Sequence, residues 1–356
     1  MVAHRIKGLD GLRGIAAISV LLFHYTIVYG LLIEPLSPMP FEAPYGRHGV
    51  ELFFIISGFV ILMTVENSHS VTDFAVSRFA RLFPVFWTAV LIESLALALS
   101  PLPPTFPFPT ISSVVENFTM MPVLFHARLI DGSYWSLFLE LAFYVLMGAA
   151  LRFRLTHKIE LLCFCWLIVF ATVRFFHPEL GSRTRYILLV EYGHFFIIGI
   201  CLYRICGARS TKLTYGLLAS ACAMSLFGPG PDSGSVSTLV YFLITLGCTA
   251  LVWLAAADKL SFLTLRPLQY LGAISYPVYL FHMVIGFEVI RLVHAKGASP
   301  TTALVLGTTG TILLATAVHK LIERPARHLI RQRYAHYRNR PSLMSSAAMS
   351  ADTPGS

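Results

Sequence analysis

The first apolar segment of the sequence carries three polar residues whose types and spacing could support chemistry. The stretch GLDGLRGIAAISVLLFHY (residues 8–25) contains Asp10, Arg13 and His24. In an α-helix, residues eleven positions apart share one face and are separated by about 16 Å along the axis, so Arg13 and His24 would do so. Asp10 precedes Arg13 by three residues, a spacing at which the two side chains can pair. Burying an ionisable group such as His24 in an apolar helix is costly, which indicates a functional site.

Packing alone is the alternative explanation for a buried histidine, and the rest of the chain bears on the choice. Other apolar segments place ionisable side chains at a similar depth, at Glu51, Glu140, Glu191, His194, His282 and Glu288. An isolated carboxylate in a low-dielectric medium is unfavourable, so we expect these groups to pair around a water-filled cavity. For Glu191, His194 and His282, the sequence leaves both a catalytic and a packing role open.

Two arginines precede the third apolar segment at a spacing that suits an anion. In FAVSRFARLFPVFW, Arg78 and Arg81 are three residues apart and share one helical face. Two guanidinium groups on one face can bind a phosphate or pyrophosphate. They are equally compatible with ordinary positive charge at the cytoplasmic end of a membrane helix.

The elements that must position these side chains are membrane helices. The chain of 356 residues is 56% hydrophobic and only 13% charged, with a mean hydropathy of +0.70, whereas a soluble domain is about 25% charged. We predict an all-α integral membrane protein, because repeated apolar segments are long enough to cross about 30 Å of hydrocarbon. The predicted spans number about ten: 12–33, 48–66, 83–100, 134–151, 159–176, 186–206, 213–228, 236–256, 268–293 and 301–320.

Lysine and arginine in the loops predict the orientation. If the N-terminus is cytoplasmic, the inner segments hold 18 of these residues and the outer segments hold five. Positive charge concentrates on the cytoplasmic side of membrane proteins. We therefore expect both termini in the cytoplasm and a multi-pass protein of the inner (plasma) membrane. The net charge of +9 follows from this topology and does not indicate a nucleic-acid partner.

The sequence predicts one membrane domain and a short tail. The domain covers residues 5–327, and the tail covers residues 328–356. The basic part of the tail is expected on anionic lipid headgroups, and PSLMSSAAMSADTPGS (341–356) is expected to be disordered. The six cysteines lack metal-binding spacing, so we expect no metal site and assign them to packing.

Six short motifs in order resemble acyltransferase family 3, whose membrane enzymes acylate glycans and some small molecules. The resemblance extends over about residues 5–327. It is carried by LDGLRGIAAISVLLFHY, GVELFFIISGF, SRFARLFP, YWSLFLELAFY, LGAISYPVYLFH and IERPAR. The resemblance implies that Arg13 and His24 serve activity and that Arg78 and Arg81 bind an acyl-CoA donor. It implies no metal cofactor.

The resemblance and the buried groups together predict O-acylation of a glycan. Cytoplasmic acyl-CoA, with acetyl as the expected acyl group, would donate to a hydroxyl of an exopolysaccharide, an O-antigen or a lipid-linked sugar. His24 would act as general base, and Glu140 would fix its tautomer. An acyl-histidine intermediate stays open as a variant. Side chains expected to bind the substrates are Ser57, Tyr134, Trp135, Tyr279 and His282.

A secondary transporter or channel is the alternative function. Buried glutamate and histidine side chains would then form a proton relay. Many transporters carry Gly- or Pro-interrupted helices in corresponding halves of the chain, and this sequence shows no such pair. The sequence does not identify the acceptor, and it leaves the oligomeric state open.

Overall fold

A computed structural model describes most of the chain, and all of the regular structure in that part is helical. For Ser182 and for residues 339–351 it describes the backbone alone. The described residues are 6–36, 39–100, 102–103, 106, 108–177, 180–227 and 237–351.

The helices follow one another with short connections. In chain order they are α1 (Lys7–Phe23), α2 (Tyr29–Leu32), α3 (Gly49–Glu66), α4 (Val71–Leu99), α5 (Ile111–Phe118), α6 (Tyr134–Arg152), α7 (Ile159–Phe176), α8 (Ser182–Ile187), α9 (Gly193–Cys206), α10 (Lys212–Ala223), α11 (Thr238–Ala256), α12 (Arg266–Phe281), α13 (Val284–Ala295), α14 (Pro300–Val318) and α15 (Arg324–Ala351).

Seven helical runs of the described chain are long and apolar enough to cross a membrane, and α12 with α13 would form an eighth. The seven are Lys7–Leu32, Pro44–Glu66, Val71–Leu99, Tyr134–Arg152, Thr156–Phe176, Thr238–Ala256 and Pro300–Arg338. This confirms a helical membrane protein. The number ten stays a prediction, because it needs α9 and α10 as spans. The 14 residues of α9 extend only about 21 Å, which is less than the hydrocarbon thickness.

Glycines let two pairs of helices touch through their backbones. A Cβ atom on Gly272 of α12 would lie 2.0 Å from the carbonyl oxygen of Asp10 in α1. At the crossing of α3 and α9, a Cβ atom on Gly58 would lie 2.1 Å from the oxygen of Phe196, and one on Gly199 2.0 Å from that of Ile55. Only glycine fits such contacts, so these positions fix how the four helices cross.

Three histidines lie where regular α-helix is interrupted. A π-helical turn, His24–Val28, separates α1 from α2, and a second one, His319–Glu323, separates α14 from α15. Between them in the sequence, His282 lies at the break between α12 and α13, where the axis bends by 75°. π-Helical turns are rare and occur frequently at functional sites.

The last helix packs on the start of α4, and it extends further than the sequence predicted. The Arg331 side chain donates a hydrogen bond to Ser77 Oγ (3.1 Å), and Arg338 pairs with Asp73 (3.2 Å). Helix α15 continues to Ala351, and the disorder expected for residues 341–356 stays a prediction. Residues 352–356 lie outside the described part of the chain.

Candidate active site

A large cavity lies between the start of α1 and the helix α15. It has a volume of about 760 Å³, and we call it the basic vestibule. Ile6 and Ala335 both line it, so the start of α1 and the first part of α15 lie at the same end of the bundle. Its polar lining consists of Asp10, Arg13, Arg81, His319, Glu323, Arg324, Arg327, His328, Arg331 and Gln332.

Two smaller cavities continue from the vestibule along α1 and α12. The middle cavity, of about 40 Å³, is lined by residues that include Arg13, Val50, Ser57, Ser136, Glu140, Ser275 and Tyr279. The histidine cavity, of about 90 Å³, is lined by Phe23, His24, Arg47, Val50, Glu51, Ser133, Trp135, Tyr192 and Tyr279. Arg13 is shared by the first two cavities, and Val50 and Tyr279 by the last two. The three cavities therefore lie next to one another in a row from the vestibule to His24, and we call this row the cavity path.

His24 is held in one tautomer by the backbone of its own helix. Its Nδ1 atom lies 2.8 Å from the carbonyl oxygen of Val20. A carbonyl can only accept a hydrogen bond, so Nδ1 carries the proton and Nε2 of the neutral ring keeps its lone pair. The predicted role of Glu140 in fixing this tautomer is not what the structure shows, because Val20 takes the place of the carboxylate.

The ring of His282 packs against the ring of His24 and is held in the same tautomer. The two ring centroids are 4.7 Å apart, with the rings nearly perpendicular at 79°. Its Nδ1 atom donates to the carbonyl oxygen of Tyr279 at 2.7 Å, and among the described residues its buried Nε2 atom has no hydrogen-bond partner. The structure thus brings together the first histidine identified in the sequence and one that the sequence left between catalysis and packing.

Glu140 and Arg13 meet in the middle cavity. Ser57 Oγ donates a hydrogen bond to Glu140 Oε1 at 3.0 Å, and the hydroxyl of Tyr144 donates to the same atom at 2.5 Å. The guanidinium of Arg13 lines the same cavity as Glu140. Its buried Nε atom has no hydrogen-bond partner in the described chain. These side chains therefore form the polar wall of the narrow passage.

The predicted arginine pair is split between two environments. Arg81 lines the basic vestibule, where it makes no hydrogen bond or ion pair with a described residue. Arg78 instead lies over the ring of Tyr144, 5.9 Å from its centroid, and donates to Ser77 Oγ at 3.1 Å. Only Arg81 of the pair is thus in a position to contact a ligand in the vestibule.

The vestibule takes most of its positive charge from α15, which the motif analysis did not assign to the site. Arg324 Nε donates to His319 Nε2 at 3.0 Å, and Glu323 contacts both His319 Nδ1 and Arg327 at 2.7 Å. With Arg331 on the next turn, these side chains form an ordered basic wall. The motif IERPAR contained this signal, but its arginines were counted only as positive charge near the membrane.

The three predicted aromatic residues have different positions. Trp135 lines the histidine cavity and packs on Tyr192, with ring centroids 4.9 Å apart. Tyr279 separates the middle and histidine cavities, and its hydroxyl lies 2.6 Å from Ser136 Oγ. Tyr134 lines neither cavity: its hydroxyl donates to Glu93 in the protein interior at 2.5 Å, so its proposed contact with substrate is not supported.

The remaining buried ionisable groups do not form the single cavity expected from the sequence. Glu191 pairs with Arg185, and Glu288 pairs with Arg291 at 2.8 Å. His194 packs on Phe195, with ring centroids 4.0 Å apart. Depth along a helix could be inferred from the sequence, but the direction of each side chain could not, and it separates these groups from His24.

Comparisons with known proteins show that the chain is similar to acyltransferases. The acyltransferase domain model of acyltransferase family 3 matches residues 6–320. The exopolysaccharide production protein ExoZ of Rhizobium meliloti is 27% identical over 298 residues, which cover 79% of this chain and 89% of ExoZ. The putative peptidoglycan O-acetyltransferase YrhL of Bacillus subtilis is 26% identical, with 91% of this chain and 55% of YrhL covered.

A third relative is the O-acetyltransferase OatA of Staphylococcus aureus, which is 23% identical, with 90% of this chain and 57% of OatA covered. The chain therefore spans little more than half of YrhL and OatA. No solved structure matches the chain significantly. These relatives support an enzyme rather than the alternative of a transporter. Since the family model covers most of its length, the chain belongs to acyltransferase family 3 and is a membrane acyltransferase.

Proposed function

We propose that this acyltransferase moves an acetyl group from cytoplasmic acyl-CoA to a hydroxyl of a glycan outside the inner membrane. The acceptor would be an exopolysaccharide, an O-antigen or a lipid-linked sugar. The observation that carries the proposal is the path of three cavities that share Arg13, Val50 and Tyr279. Such a path allows a donor at one end of the bundle to reach a base near the other.

The basic vestibule suits the phosphates of the donor. Its lining holds five arginines against two acidic residues, Asp10 and Glu323. Arginine binds phosphate oxygens with two parallel hydrogen bonds and keeps its charge at any physiological pH. We assign the donor contacts to Arg81, Arg324, Arg327 and Arg331, which replaces the earlier assignment to Arg78 with Arg81.

The middle cavity suits the slender part of the donor. At about 40 Å³, it is far too small for a nucleotide, and it would have to widen to admit the slender arm of the donor. Arg13, Ser57 and Glu140 supply donors and acceptors to an amide-containing arm as it passes. The acyl thioester would then enter the histidine cavity while the nucleotide stays behind in the vestibule.

His24 would act as general base through Nε2. As the acceptor oxygen attacks the thioester carbon, its proton moves to Nε2, and the carbon–sulfur bond breaks when the tetrahedral intermediate collapses. The thiolate leaves as CoA and recovers a proton, so that the products are an O-acyl glycan and free CoA. General base catalysis of this kind typically contributes about 10²- to 10⁴-fold in rate.

The orientation follows from the charge distribution. The vestibule is at the end of the bundle where α1 begins and α15 packs, and the loop charges predict that this end faces the cytoplasm. The histidine cavity would then open to the side where envelope glycans are assembled. Relatives named for O-acetyl transfer and for exopolysaccharide production support this choice of acceptor.

The test is acyl transfer by the purified protein in lipid nanodiscs. Radiolabelled acetyl-CoA is supplied with a set of bacterial polysaccharides, and free CoA and labelled glycan are both quantified. We expect His24→Gln to lower the transfer rate by about 10²-fold or more, with an unchanged affinity for the donor. His157→Gln is the matched control, because His157 is exposed and lies outside all three cavities.

Two results would overturn the proposal. Full acyl transfer by His24→Gln would remove the histidine from the chemistry. Failure of the wild type to release CoA from acetyl-CoA, together with transfer from another acyl donor, would show that the vestibule binds a different carrier.

A further inference from the structure

Arg47 is a cation of the histidine cavity that the mechanism above does not use. It lies in the short 3₁₀ segment Pro44–His48 just before α3 and lines the same cavity as His24. Its guanidinium lies over the ring of Phe23, 5.4 Å from the ring centroid. Among the described residues it makes no hydrogen bond and no ion pair, so its five N–H donors stay available to a ligand.

The acidic residue in the same wall does not neutralise Arg47. Glu51 is held by His48, whose Nδ1 atom lies 3.1 Å from Glu51 Oε1. Glu51 makes no ion pair with Arg47 in the described chain. The charged or titratable groups lining the cavity are thus Arg47, Glu51, His24, Tyr192 and Tyr279, and only Arg47 is a permanent cation.

Arg47 is half-buried, so its unpaired guanidinium is only partly solvated and would gain from an anionic ligand. The planar fork of arginine matches a carboxylate with two parallel hydrogen bonds. The start of α3 adds to this preference, because the N-terminal end of a helix attracts negative charge. Trp135, Tyr192 and Tyr279 add aromatic surface to the cavity.

We propose that Arg47 binds a carboxylate carried by one of the two substrates and so selects that substrate for the histidine cavity. The carboxylate belongs either to a uronic acid of the glycan acceptor or to the free end of a dicarboxylic acyl group. Its assignment to a substrate rests on the proposed function. The anion-binding property itself does not, because it can be measured without turnover.

Equilibrium binding is the first test. Methyl glucuronide and methyl glucoside differ only in the carboxylate, and their affinities for the full chain in nanodiscs are measured by calorimetry. We expect the glucuronide to bind about tenfold more tightly or better, since hydrogen bonds to charged groups are the strong ones. Arg47→Gln should abolish the difference and Arg47→Lys should retain part of it. Arg128→Gln is the control, because Arg128 is exposed and outside the cavity.

Turnover then distinguishes the two sources of the carboxylate. Acetyl-CoA and succinyl-CoA are each supplied with a neutral glucan oligosaccharide and with its uronic acid counterpart. If the acceptor carries the anion, Arg47→Gln should lower kcat/KM about tenfold for the uronic acid and leave the neutral glycan unchanged with either donor. If the acyl group carries it, the same loss should appear with succinyl-CoA and not with acetyl-CoA.

Several outcomes would overturn the inference. Equal binding of the two glycosides by the wild type, or a preference that survives in Arg47→Gln, would show that Arg47 does not bind a carboxylate. An equal loss of kcat for every pair of substrates would show that Arg47 stabilises the transition state and does not select the substrate. If no acyl-CoA is consumed but the glucuronide preference depends on Arg47, the proposed function fails and the anion site stands.

Discussion

The two ends of the cavity path are built around the same local feature and yet differ in chemistry. A π-helical turn begins at His24 in one and at His319 in the other. His319 is engaged on both ring nitrogens, by Glu323 and Arg324, whereas His24 keeps Nε2 free for a ligand. The vestibule is about 760 Å³ and lined by arginines, and the histidine cavity is about 90 Å³ and largely aromatic.

This difference shows how one bundle can separate holding a carrier from reacting with its cargo. A wide, charged vestibule admits a polyanion and also releases it, because its cations remain in contact with water. A small cavity excludes bulk water, which favours attack by a bound hydroxyl over hydrolysis. Helix α1 joins the two, since it carries Arg13 near the vestibule and ends at His24. Whatever moves α1 against α12 should therefore disturb both ends together.

The largest effect is expected from Gly272→Ala. The added Cβ atom would lie 2.0 Å from the backbone oxygen of Asp10, so α1 and α12 must separate. Overpacking of this kind costs about 3 kcal/mol or more when backbone is the obstacle. We expect loss of acyl transfer and a lower melting temperature, measured on the detergent-solubilised protein.

Gly216→Ala provides the matched control for this substitution. Nothing lies within 4 Å of a Cβ atom at Gly216 in α10, and alanine stabilises a helix interior by about 0.5–1 kcal/mol over glycine. If Gly272→Ala kept wild-type stability and activity, the close crossing of α1 and α12 would not fix the path.

A smaller effect is expected in the passage between the two ends. Glu140→Ala removes the acceptor for Ser57 and Tyr144 and the negative charge that lines the middle cavity together with Arg13. Misplacing a reacting group by about 1 Å can cost roughly 10²-fold in rate. We therefore expect kcat to fall 10- to 100-fold, while Glu140→Gln, which still accepts hydrogen bonds, loses less. Equal rates for the two variants would mean that the carboxylate contributes only its charge.

The sequence predicted the individual elements better than their relative placement. The path begins and ends at Arg13 and His24, which periodicity alone placed on one face. The surroundings of Arg78 and Tyr134 could not be predicted from periodicity. Their contacts, Tyr144 and Glu93, lie on other segments of the chain. The π-helical turn at His24 also left no recognisable pattern in the apolar sequence, since it follows from tertiary contacts.

The contribution of α15 to donor binding should be smaller again. Arg331→Gln and Arg324→Gln are each expected to raise the KM for acetyl-CoA about five- to tenfold with little change in kcat, because a partly exposed charge contributes on the order of 1 kcal/mol. Steady-state kinetics with a donor that lacks the 3′-phosphate should show a reduced effect for the arginine that binds that group.

Arg338→Gln is the control for these two variants. Arg338 lies on the same helix but pairs with Asp73 outside the vestibule, so its KM for the donor should stay at the wild-type value. An equal rise in all three variants would indicate a general electrostatic effect of α15 rather than a binding site.

The smallest effect concerns the loop that closes the histidine cavity. Asp131, just before α6, accepts hydrogen bonds from the backbone N–H of Ser133 (2.6 Å) and of Val284 (3.2 Å), and so ties the cavity wall to the helix break at His282. Burial raises the pKa of Asp131 to about 6, above its unfolded value. The folded protein then keeps this proton to a higher pH than the unfolded chain does, so stability should fall as the pH rises from about 4 to about 6 and level off above that.

We expect the melting temperature to fall by about 2 °C per pH unit in this range. This pH dependence should be absent in Asp131→Asn, which keeps an acceptor but cannot ionise. Thermal unfolding between pH 4.5 and 7.5 measures it, with Glu42→Gln as a variant of an exposed carboxylate. An unchanged slope in Asp131→Asn would mean that another group titrates, and that the loop is held at the small cavity independently of its charge. The vestibule has no equivalent buried acid in its loops, so a slope that depends on Asp131 would assign this pH sensitivity to the histidine end of the path.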